Sequence, residues 1–218
     1  MLNRLIPTIA QENTLESQCG FRSNRGTEDL IFVLRQIQEK RREQNKGLNA
    51  ASVDLDKAFD TVSRDVLWKI LARFCCPLKF LTILRQLQER QQGQMKHNGR
   101  LSDIFPISNG VKQGYVLAPT LFLILFSIML RQTKGDLPHG IYIRFGTDDS
   151  LFHLRRLLAR TKTIEELITE LLFADDSAPL DHTEKALQHI VNRSTVKAKN
   201  FGLTITLKKT EVFINSST

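Results

Sequence analysis

Apolar positions recur at helical spacing in several stretches of this chain and gather into short strand-like runs between them. Leu2 to Ala10 reads as the tail of a helix. From Gly26-Thr27-Glu28-Asp29 a longer helix opens, with Leu30, Val33, Leu34 and Ile37 on one stripe and Lys40, Arg41 and Arg42 at its C-terminal end. Asn49 to Leu55 predicts a buried strand. Ser63 is placed to cap a helix over Arg64 to Phe74, where Val66, Leu67, Ile70, Leu71 and Phe74 share a face. Beyond Pro77 another helix is expected from Leu78 to Gln91. Gln94 to Ile107 predicts a hairpin turning at Asn98-Gly99. Val116 to Leu130 is the longest apolar run, interrupted by Pro119 and closed by Arg131. It falls short of the roughly 20 residues of a membrane span, so it predicts a buried core helix.

The second half alternates in the same way. Strand-like pieces stand near Ile141–Arg144 and Leu151–Leu154, Leu167 to Leu180 predicts a hairpin, and Glu184 to Phe201 is an amphipathic helix closed by Gly202. Leu203–Ile205 and Val212–Ile214 read as a closing hairpin. This order predicts an α+β fold, with helices packed on one face of an antiparallel sheet.

Charge and cysteine usage narrow the function. Thirty-one Lys and Arg against 23 Asp and Glu give a net charge of +8, which favours a polyanionic partner, nucleic acid before an anionic membrane. The three cysteines, Cys19, Cys75 and Cys76, show no zinc-ligand spacing, and the N-terminus lacks a signal peptide's apolar core. Together these predict an intracellular protein, nuclear or cytoplasmic, with reduced thiols.

Two segments carry candidate chemistry. In Leu171-Leu172-Phe173-Ala174-Asp175-Asp176-Ser177-Ala178 an apolar run ends in adjacent carboxylates; in Val53-Asp54-Leu55-Asp56-Lys57-Ala58-Phe59-Asp60 a second apolar strand delivers another. Adjacent carboxylates repel and are costly beside buried strands unless a cation offsets them. A calcium loop over Asp54, Asp56 and Asp60 is excluded, because Phe59 occupies the place where an EF-hand needs Gly. A solvated acidic turn accounts for FADD taken alone; spacing by itself does not bring Asp54 and Asp175 together.

Three further motifs accompany them. In GVKQG…LAP…LF, Gly110 and Gly114 allow close backbone approach and Gln113 offers hydrogen bonds to a base or sugar. In Gln18-Cys19-Gly20-Phe21-Arg22-Ser23-Asn24-Arg25, two guanidinium groups stand beside glycines before a helix, as a phosphate clamp or a solvated basic turn. Gly202 to Glu211 ends in Lys209-Thr210. In order, and spanning nearly the whole chain, VDLDKAFD, FADD and these three motifs resemble the reverse transcriptase domain of non-LTR (LINE-type) retrotransposons.

The resemblance implies a fingers–palm architecture without a thumb: partial fingers over 1–50, and palm with intervening fingers segments over 51–218. It implies RNA-directed DNA polymerisation with two Mg²⁺, or Mn²⁺ in their place, held by Asp54, the Leu55 carbonyl, Asp175 and Asp176. Arg22 and Arg25 would neutralise the triphosphate, Phe59 would be the steric gate, Gln113 and Gly114 would line the nucleotide, and Lys209 would lie near the pyrophosphate. Implied partners are an RNA template, a DNA primer and dNTPs, with no membrane and no protein partner. Three departures point the other way: Tyr115 where the family carries a small residue, Pro179 interrupting the return strand, and Ser194 on an apolar helix face. With a start inside the fingers, they make a decayed, catalytically inactive fragment that at most binds nucleic acid the alternative expectation.

Overall fold

The computed structural model describes residues 11–74, 76–135, 140–145 and 164–215. The stretches expected at Leu2–Ala10 and Leu151–Leu154 lie outside the described residues. After a short turn of helix α1 (Gln11–Asn13), α2 (Thr27–Glu43) leads into strand β1 (Leu48–Ser52). Helices α3 (Ala58–Thr61), α4 (Arg64–Arg73) and α5 (Leu78–Gln88) follow. Ser63 accepts a hydrogen bond from the Val66 N–H and starts α4 as its sequence predicts. The predicted hairpin has an outer ladder, β2 (Gln92–Gly93) with β5 (Phe105–Pro106), and an inner one, β3 (Lys96–His97) with β4 (Arg100–Leu101). It turns where Asn98 and Gly99 both take positive φ.

Helix α6 (Ala118–Lys134) is apolar around most of its circumference and buried, with Pro119 in its first turn. None of the described helices is long and apolar enough to cross a membrane. Strands β6 (Ile141–Phe145) and β7 (Ile164–Ile168) pair with each other, so Leu167 belongs to that ladder and not to the carboxylate hairpin. The hairpin itself is β8 (Glu170–Phe173) and β9 (Asp176–Asp181), followed by α7 (Glu184–Asn200). A 3₁₀ turn at Leu207–Lys209 precedes β10 (Glu211–Asn215).

Four strands form one antiparallel sheet in the order β10-β1-β9-β8. Side chains alternate across it. Ala51, Val53, Leu55 and Leu172 join the main core with α4, α5, α6 and α7. On the opposite face Leu48 and Leu180 meet Ile37 of α2 and Ile141 and Ile143 of β6. Most helices therefore cover one face, and α2 with the β6–β7 ladder closes an end of the other.

Two expected details differ. The closing hairpin does not form: Leu203–Ile205 and β10 each pair with the β1 segment, Ile205 opposite Leu55 and Val212 opposite Ala51. The 3₁₀ turn between them redirects the chain, so both pieces add to the same strand. Pro179 does not break its strand either; it is buried within β9 opposite Glu170. Ser177 exchanges both backbone hydrogen bonds with Val53, and the ladder resumes at Asn49↔Asp181 and Ala50↔Leu180. The missing N–H falls in the gap between those contacts, where the cost is a single rung.

Candidate active site

Strand register brings Asp54 and Asp176 together. Val53 and Ser177 donate N–H groups to each other's carbonyls at 2.8 and 3.1 Å. In an antiparallel ladder the next pair along, Asp54 and Asp176, is non-hydrogen-bonded, the arrangement in which side chains stand closest on one face. Asp175 sits in the two-residue turn between β8 and β9. Burial, then the charges of Asp175 and Asp54, push the Asp176 carboxyl above the usual range, and Lys209 opposes them.

On its other edge the Asp54 strand is held by Thr206, whose N–H donates to the Asp54 carbonyl at 2.9 Å, and by the Asp56 N–H, which donates to Thr204 at 2.8 Å. That pairing delivers Lys209. Its Nζ lies 2.7 Å from Asp54 Oδ2, linking an exposed lysine to a carboxylate only 18% exposed. The hydrogen bond to Asp54, then the Asp54 charge, hold the ammonium above its ordinary range, with Asp56 and Asp176 adding to it. A cation thus already stands against Asp54, within reach of the charges of Asp56 and Asp176.

The donor types, carboxylates and a strand carbonyl, suit a hard divalent ion. Their placement does not: among the described residues no three His, Cys, Asp or Glu side chains are grouped to hold one metal, and Asp54 Oδ2 is buried against the Lys209 ammonium.

The remaining predicted residues are spread around this end. Phe59 lies in α3 and stacks on Phe122 at 4.7 Å between ring centroids, with Phe21 edge-on at 6.2 Å, so its ring belongs to the core wall. Gln113 is exposed in a turn, and Gly114 beside it has open space where a Cβ would stand. Gly110, by contrast, presses on α3; a Cβ there would fall 2.5 Å from the Asp60 carbonyl oxygen. Arg22 donates to the carbonyls of Leu15 and Gln18 at 3.2 and 3.3 Å and pairs with Glu16. Arg25 also pairs with Glu16. Both guanidinium groups are therefore engaged with their own loop.

Two residues that carried no assigned role organise this region. Gln18, fully buried, donates through Nε2 to the Ala174 carbonyl at 3.0 Å and accepts the Ala174 N–H through Oε1 at 2.9 Å. Arg64 ties three segments by donating to the carbonyls of Gln88, Ile107 and Gly110. Gln18 stands in a motif that the sequence does flag, yet nothing in the sequence marks it as buried. Arg64 reads as an ordinary first-turn residue of a helix.

The family model described as reverse transcriptase (RNA-dependent DNA polymerase) matches residues 1–218. The RNA-directed DNA polymerase from mobile element jockey of Drosophila melanogaster is 31% identical over 173 residues, 77% of this chain and 19% of that protein. The Pol polyprotein from type-1 retrotransposable element R2 of Popillia japonica is 29% identical over 113 residues, 52% of this chain and 19% of that protein. The chain thus spans about a fifth of the length of these relatives. In fold it is similar to apo telomerase from Candida tropicalis truncated from its C-terminal domain, with a TM-score of 0.62 at 12% identity, covering 100% of this chain and 39% of that one. Telomerase from Candida albicans in complex with a fragment of telomeric RNA gives 0.59 at 14% identity, covering 100% and 33%.

Proposed function

The chain belongs to the reverse transcriptase (RNA-dependent DNA polymerase) family, within the range of non-LTR retrotransposon enzymes such as those of jockey and R2, and from that premise we propose that these residues form a nucleic-acid-binding palm that is catalytically silent on its own. One observation carries the reading: the Lys209 ammonium, 2.7 Å from Asp54, neutralises the carboxylate on which a catalytic cation would have to rest. The net charge of +8 supports binding to the phosphate backbone of an RNA–DNA hybrid. In this reading residues 1–50 are a fingers portion and 51–218 a palm with intervening fingers segments.

A second reading is RNA-directed DNA polymerisation of dNTPs onto a primer 3′-hydroxyl. The register that sets Asp54 across from Asp176, with Asp175 in the adjoining turn, favours it. There Asp54, the Leu55 carbonyl, Asp175 and Asp176 would hold two Mg²⁺, which when bound supply charge neutralisation at the reacting phosphate. Arg22, Arg25, Phe59, Gln113, Gly114 and Lys209 would face the nucleotide.

Primer extension on an RNA template with Mg²⁺ and dNTPs separates the two, run beside Asp175→Asn and a hybrid-binding assay. The silent reading expects hybrid binding with no Asp175-dependent extension. Extension by the unaltered chain that disappears in Asp175→Asn would replace it with the second.

A further inference from the structure

Ala174 opens the turn that carries Asp175, and its φ of +54° lies in the left-handed region that a Cβ disfavours. Glycine is the usual solution at such a position; here the chain uses alanine and something else must hold it. The Gln18 carboxamide does so. It grips the N–H and the carbonyl of this one residue from 156 positions away, at 2.9 and 3.0 Å. The same Oε1 accepts the Gly20 N–H at 2.8 Å, which fixes the amide orientation. The segment around it is itself anchored to β8: Cys19 donates to Leu172 at 2.9 Å and Leu172 to Ser17 at 3.3 Å. Gly20 completes the contact, since a Cβ there would lie 2.1 Å from the Ala174 nitrogen.

We propose that Gln18 is the positioning residue of the carboxylate turn, holding Ala174 in its left-handed conformation and so setting where Asp175 and Asp176 stand. Arg22 and Arg25 follow within the same segment, so one amide links the basic loop to the acidic turn. Gln18 holds the turn in the same way whether the palm is silent or polymerises.

The test is a double-mutant cycle read by urea unfolding, with amide hydrogen exchange on the ¹⁵N-labelled chain. Gln18→Leu removes the grip, and Ala174→Gly removes the need for it. Exchange at Ala174 in Gln18→Leu is expected to rise about tenfold more than at Ser177, whose N–H bonds to Val53 and reports the sheet. In the Ala174→Gly background the same substitution is expected to lower the urea midpoint by less than half as much. Gln18→Met keeps the side-chain length and removes both hydrogen bonds without adding a charge, so it supplies the cycle if Gln18→Leu does not fold. Additive midpoints, or Ala174 exchange that merely tracks Ser177, would overturn the proposal, since a buried glutamine with a purely structural role produces both.

Discussion

Asp176 bears the local cost of bringing like charges to one strand end. Burial, then Asp175 and Asp54, raise its carboxyl, so the folded chain binds that proton more readily than the unfolded one. Stability attributable to it therefore falls as pH rises out of the ordinary carboxylate range, and the whole penalty is present at neutrality. Asp176→Asn is expected to raise the melting temperature at pH 7 by roughly 1–2 °C, a small value because the side chain is partly solvated. That advantage should vanish as pH drops below about 4, where both states carry the proton; a destabilised variant at pH 7 refutes the argument. His182 behaves in the opposite sense. Its Nδ1 accepts from Arg41 at 2.9 Å, which needs a neutral ring, and burial followed by the Arg41 charge lowers its affinity for a proton. Its contribution is complete above the ordinary histidine range, about 6.5, and is lost as pH falls below it. Urea midpoints measured from pH 7.5 to 5 should decline, and His182→Gln should flatten that decline.

At the scale of elements, the helices are the part of the fold most open to reading from the chain. Leu67, Trp68 and Leu71 bury one face of α4, and α6, apolar around most of its circumference, runs through the main core. Local composition decides such elements, because a helix makes its hydrogen bonds within itself. Strands depend on partners elsewhere. Pro179 looks like a strand breaker until its missing donor is seen to fall between two pairings with β1. The last two strand-like pieces look like a hairpin until the 3₁₀ turn at Leu207–Lys209 sends both to β1. Arg64 shows the same dependence in a single side chain. Its Nε donates to Gly110 at 2.8 Å, and its Nη1 to Gln88 at 2.6 Å and Ile107 at 3.1 Å; Nη2 donates to Gln91 Oε1 at 2.8 Å. Four acceptors in four directions match a guanidinium fork and not a single ammonium. Arg64→Ala should cost about 2 kcal/mol or more in urea unfolding, and Arg64→Lys should recover less than half of it. Full recovery by lysine would mean that charge, not the fork, holds the loop.

For the molecule as a whole, the three aspartates were legible as motifs, whereas what surrounds them was not. Asp54 and Asp176 become neighbours only through the register of β1 with β9, and Lys209 reaches them only because Leu203–Thr206 lies along the Asp54 strand. The basic loop is a comparable case: Arg22 and Arg25 read as free phosphate ligands, yet both pair with Glu16, which is itself well exposed. Exposed pairs of this kind contribute little to stability, at most about 1 kcal/mol. Breaking them should therefore alter binding more than folding. With Glu16→Gln the Arg25 guanidinium is released toward solvent and toward any phosphate backbone nearby, whereas Arg22 stays on the carbonyls of Leu15 and Gln18. Each phosphate contact displaces condensed counterions, and the slope of log affinity against log salt steepens by about 0.7 to 0.9 per contact. One released arginine thus predicts a slope steeper by up to about 0.9 on a duplex, with tighter binding at low salt that disappears at high salt. Fluorescence anisotropy of a labelled RNA–DNA hybrid across a salt series measures both quantities. A Glu16→Gln slope equal to that of the unaltered chain would mean that the loop lies away from the bound backbone, and that the charge of +8 acts through other faces of the palm.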